Sequence, residues 1–142
     1  MSEISWVMRG ELHPEKDYFA VATDGLKIPI WHIRGFLQMT RYTNANVEQM
    51  GTYDTLVGYA LNTQFGFMTN SRTLSVWEDM QSIRDYTNNG AHLESMVELG
   101  KIPSLRVKHA MWKFSGQDGM PTWEDSYTHI YRSKAKMSPK FM

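Results

Sequence analysis

Five histidines stand at positions 13, 32, 92, 109 and 129 of a 142-residue chain, and none sits in an HxH, HxxxH or HxxE pattern. That spacing gives little support for a non-haem metal site. His92 and Met96 are four apart and share one face of a helix. Such a pair suits a ligand or general base beside an apolar pocket; the alternative is a helix-start imidazole bonded to the broken turn at Asn88–Gly90. Tyr59, Tyr86 and Asn62 are the right types to hold a developing oxyanion. Trp77 is either core or a pocket wall, and its indole N–H needs a partner, for which Asn62 and Ser75 qualify. His32 reads as a pocket-mouth residue or a helix cap. Arg34 and Arg41, seven apart, read as a solvated face, and His109 on an apolar strand face reads as interface packing. With no cysteine, disulfides, thiolate catalysis and iron–sulfur or Cys–zinc sites are excluded. No Gly-rich phosphate loop, G-x-S-x-G or paired-carboxylate motif is present.

The elements that must position these residues follow from periodicity. Residues 1–16 read as an arm or short edge strand, with Ile4, Trp6 and Met8 alternating. Tyr18–Thr23 is a strand ended by the turn signal Asp24-Gly25. His32–Met50 is a helix with Ile33, Phe36, Leu37, Met39 or Thr40, Val47 and Met50 in its apolar stripe and Gly51 as its stop. Thr55–Thr63 alternates as a half-buried strand, Gln64–Arg72 reads as a hairpin connection, and Thr73–Trp77 is the next strand. A helix begins near Glu78-Asp79, breaks at Asn88-Asn89-Gly90 and resumes through Leu99. Leu105–Phe114 is the last strand. Thr122 and Asp125 form a capping-box variant that starts a helix over 122–132, and a basic tail occupies 133–142.

Fifteen basic and fifteen acidic side chains cancel, which argues against a nucleic-acid binder. Eleven Met, five Trp, seven Tyr and six Phe supply a soft, aromatic core. The chain reads as one domain, 1–142, with its core over about 18–115. It lacks the apolar run of a signal peptide or a membrane span, so the expectation is a cytoplasmic protein with no membrane partner.

Strand, helix, strand, strand, helix, strand is the split βαβ order of an α+β, ferredoxin-like fold with a four-stranded antiparallel sheet. The strands are apolar on both faces (Tyr59 and Leu61 on one, Leu56 and Ala60 on the other), so a homodimer packing sheet on sheet is expected. Gly58-Tyr59-Ala60-Leu61, Thr73–Asp79, Ile83-Arg84-Asp85-Tyr86 and Gly90-Ala91-His92 resemble the dimeric α+β barrel superfamily, near the antibiotic-biosynthesis-monooxygenase-like and spheroidene-monooxygenase-like proteins. The resemblance covers roughly Tyr18 to Tyr131 and implies a cofactor-independent monooxygenase-like protein acting on or binding a small aromatic or polyene-like molecule. Its pocket would lie between helices and sheet, with Trp77, Met96 and His32 binding substrate and His92, Tyr59, Asn62 and Tyr86 carrying the chemistry. No metal or other cofactor is implied by that reading. The same resemblance also admits haem with His92 as axial ligand, and a non-catalytic dimeric interaction protein.

Overall fold

The computed structural model describes residues 5–102 and 107–131, without the Leu26 side chain. The basic tail, Ile4 and the Leu105-Arg106 start of the last expected strand lie outside the described residues. In chain order the elements are β1 (Val7–Met8), β2 (Asp17–Pro29), α1 (Ile33–Met50), β3 (Leu56–Gln64), β4 (Met68–Trp77), α2 (Met80–Thr87), α3 (Gly90–Leu99), β5 (Lys108–Ser115) and α4 (Trp123–Tyr131). The strands form one antiparallel sheet in the order β1-β3-β4-β2-β5. The four expected strands are present in ferredoxin-like order, and the N-terminal arm adds a two-residue fifth beside β3.

Local chemistry sets the helix ends as the sequence suggests. Asp79 caps α2 by accepting from the Ser82 N–H at 2.7 Å. Thr122 and Asp125 exchange reciprocal bonds of 2.9 and 3.0 Å at the start of α4. Of the expected α1 stripe, Met39 and Met50 are buried, joined by Gly35 and Tyr42, whereas Ile33 and Leu37 point to solvent.

Two strand readings are corrected. Asp24-Gly25 does not end β2 but forms a β-bulge, with Gly25 at φ 94° and its N–H bonded to Asp24 Oδ1 at 2.8 Å. Beyond the bulge, β2 continues to Pro29 and pairs with Met68–Ser71, so the β3–β4 connection shrinks to residues 65–67. A second bulge, between Leu56 and Gly58, turns Leu56 towards the Trp77 side rather than sharing a face with Ala60.

Helices α1–α3 cover one face of the sheet. Met50, Leu56, Trp77, Ile83 and Tyr86 form the core there, and Tyr42, Leu99 and Ile102 pack at its margin. The other face, expected to be bare for a partner's sheet, carries α4 instead. Ala20, Ala22, Ala60 and Ala110 make a floor of small side chains on which Trp123 and Ile130 pack beside Leu74 and Trp112. Trp6, Leu12 and Met120 extend that cover over Tyr18, Val57 and Val76. Tyr131 ties the end of α4 to the bulge, its hydroxyl donating to Asp24 Oδ2 at 2.5 Å. No helix among the described residues is long and apolar enough to cross a membrane.

Candidate functional site

Between α1, α2, α3 and the sheet lies a cavity of about 310 Å³, within the range that holds small organic ligands. Alternation delivers its floor: Val21 and Thr23 from β2, Tyr59 and Leu61 from β3, Thr73, Ser75 and Trp77 from β4, and His109 from β5. The helices deliver Tyr42, Asn46, Tyr86, His92 and Met96 from above. None of the described lining residues is Asp, Glu, Lys or Arg.

His92 is the most constrained group. The break between α2 and α3 turns on Gly90, whose φ of 59° an L side chain seldom adopts. Gln49 of α1 clamps this break. Its Nε2 donates to the carbonyls of Tyr86 (3.2 Å) and Asn89 (2.9 Å), and its Oε1 accepts the His92 backbone N–H at 2.8 Å. His92 Nδ1 lies 3.1 Å from the Thr87 carbonyl, which can only accept. Nδ1 therefore carries the proton and Nε2 the lone pair. Burial pushes the imidazole below the usual histidine range, against a smaller opposing effect of the Thr87 bond.

An aromatic row backs the imidazole. The ring of Tyr86 is 4.6 Å from that of His92 and 5.4 Å from that of Trp77. Trp77 Nε1 donates to Ser75 Oγ at 2.9 Å, one of its two expected partners. Burial holds the Tyr86 hydroxyl protonated far above the ordinary tyrosine range, with Tyr53 adding to the effect.

Of the residues named from sequence, Tyr59, Trp77, Tyr86, His92 and Met96 are brought together on the cavity. Asn62 and His32 are not. Asn62 pairs with Arg72, and alternation from Tyr59 puts it on the opposite face of the sheet. His32 is the α1 N-cap, its Nδ1 accepting from the Gly35 N–H at 2.9 Å. His109, expected at an interface, lines the cavity beside Thr23, with Nδ1 at 3.3 Å from Thr23 Oγ1. Burial, with a lesser push from His92, lowers its pKa to about 4.

Asn46 was not singled out by any sequence motif. Its Nδ2 donates to Ser95 Oγ at 3.2 Å, while Ser95 spends its own proton on the His92 carbonyl at 2.7 Å. That fixes the amide orientation and leaves the buried Oδ1 with no hydrogen-bond partner among the described residues. An unmatched buried acceptor costs about 1–3 kcal/mol unless a ligand or water donates to it. No group of three His, Asp or Glu side chains among the described residues is placed to hold a metal ion.

No family model matches the chain. Nor does any curated protein. Among solved structures, the fold is similar to a protein of Fusobacterium nucleatum subsp. nucleatum provisionally named a monooxygenase. There the TM-score is 0.50 at 15% identity, over 68% of this chain and 43% of that one, so this chain spans less than half its length. A dimeric ferredoxin-like protein of unknown function from Thermobifida fusca gives a TM-score of 0.51 at 12% identity, over 75% of this chain and 98% of that one. SnoaB, a cofactor-independent oxygenase from Streptomyces nogalater solved in mutant form, gives 0.45 at 13% identity, over 68% and 91%. The class so defined is the α+β, ferredoxin-like fold.

Proposed function

We propose that the chain binds a small, uncharged aromatic or polyene-like molecule in the cavity and acts on it as a cofactor-independent monooxygenase. The observation that carries this reading is a neutral imidazole, with Nε2 as its lone-pair nitrogen, lining a cavity that has no charged side chain among its described residues. In that setting His92 takes one of the two protons of an acidic ring CH2 carbon in the keto tautomer of a hydroquinone-type substrate. Tyr86, Tyr59 and Ser75 are hydrogen-bond donors for the substrate oxygen, and Asn46 Oδ1 accepts from a substrate hydroxyl. The carbanion gives electrons to O₂, a C–O bond forms, and the proton held by His92 passes to the outer oxygen of the resulting peroxide, which leaves as water with the carbon's second hydrogen. That loss leaves one oxygen atom as a carbonyl and the other in water. The name of the Fusobacterium relative accords with this reaction class but does not carry it.

The test is oxygen uptake by flavin-free, metal-free protein with a polycyclic hydroquinone. One O₂ should be consumed per carbonyl formed, and His92→Gln should lower kcat by at least about 100-fold, the low end of what a general base contributes. Equal rates for the two proteins sink the assignment. The haem alternative meets only part of its need. His92 can serve as an axial ligand, but the described lining offers no cation for the propionates. Haemin titration is therefore expected to give no His92-dependent Soret shift.

A further inference from the structure

The tip of the β3–β4 hairpin belongs to a surface that the cavity does not use. The β2–α1 connection, the first turns of α1 and the β3–β4 hairpin tip meet there, joined by a bond from the Ile30 N–H to the Phe67 carbonyl at 2.8 Å. Ile30, Trp31, Ile33, Leu37, Phe65 and Phe67 are all exposed, Trp31 by 70% and Phe67 by 81%. Together they present on the order of 700 Å² of side chain, more than the largest apolar patch on a typical monomer. It is close to what each partner contributes to a standard interface, about 800 Å².

We infer that this patch is where a second copy of the chain docks. The face expected to pair sheet on sheet is occupied by α4, so self-association needs another surface, and this patch has the required area. A chain of zero formal net charge meets its copy without long-range repulsion. The exposed cations of β2 beyond its bulge and of α1, Lys27, Arg34 and Arg41, are fewer than the clusters of about four to eight that mark an anionic lipid surface. Under a two-fold axis, the convex Phe65-Gly66-Phe67 tip of one copy lies on the Ile33–Leu37 flank of the other. This inference is independent of the cavity chemistry.

Equilibrium sedimentation of the full chain tests it. The wild type should dimerise, and Phe67→Glu or Leu37→Glu should raise the dimer Kd by about 30-fold or more, as for interface hot spots. Tyr127→Glu on the outer side of α4 should leave Kd unchanged. Because the chain has no cysteine, the double variant Phe67→Cys/Leu37→Cys should form an intermolecular disulfide on oxidation; this readout does not depend on the glutamate variants folding. A wild type that stays monomeric overturns the inference, as does one that floats with anionic phosphatidylglycerol vesicles instead of pairing. A dimer lost through Tyr127→Glu but indifferent to the patch variants overturns it in favour of the α4 face.

Discussion

At the residue scale, the site is a set of titratable groups kept uncharged by burial. His109 makes this measurable through linkage. Its folded pKa of about 4 lies below the ordinary histidine value of 6.5, so between those pH values the unfolded chain holds more protons than the folded one. The associated stability is complete above pH 6.5 and is lost as pH falls towards 4. His92, lowered by burial as well, acts in the same direction. Urea midpoints should therefore drop between pH 7 and pH 4.5, and His109→Gln should flatten that decline. A slope identical in the two proteins would assign it to other groups. The same lowering leaves His92 unprotonated at pH 7, so the rate should be flat there and fall only on an acid limb below pH 6.5.

At the scale of elements, the α2–α3 break is the device that aims His92. Gly90→Ala forces an L residue into φ 59° and brings its Cβ to 3.1 Å from the Gln49 carboxamide. It should cost about 1–2 kcal/mol in urea unfolding. Gly66→Ala at the hairpin tip, with open space around it, should lie within about 0.5 kcal/mol of wild type. The break itself was legible, because Asn88-Asn89-Gly90 interrupts a helical stripe. Gln49 was not, because its role depends on α1 lying against a turn 40 residues away. The His109 assignment failed for a related reason. Alternation groups His109 with Met111 on one face of β5 but does not say which face receives the helices. The hairpin was misread because Asn70-Ser71 carries turn chemistry, and only the continuation of β2 past its bulge holds those residues in a ladder. Asn62 and His32 have suitable chemistry, but backbone register and helix capping claim them.

At the scale of the whole molecule, α4 decides which faces are available to others. Ending the chain at Pro121 removes Trp123, Ile130 and Tyr131 and uncovers the alanine floor together with Trp112. The truncated protein should bind a hydrophobic dye such as ANS strongly and self-associate, whereas the full chain should bind it mainly at the hairpin end. Equal dye binding by both would show that α4 does not shield the sheet. The bulge at Asp24-Gly25 has a consequence of another kind, for how this chain can change length. It acts as a parity switch: odd-numbered positions face α1 before it, and even-numbered positions face α1 after it, where Ile28 pairs with Thr69. Because Asp24 and Gly25 together stand opposite Arg72 alone, deleting Gly25 would restore a regular ladder and leave Lys27 opposite Asn70 and Ile28 opposite Thr69, each on its present face. A single-residue deletion between Leu26 and Pro29 would instead move the positions after it to the other face. Loss of one residue is therefore tolerable at the bulge but not in the ladder beyond it, while the connection after Pro29 is free of that constraint.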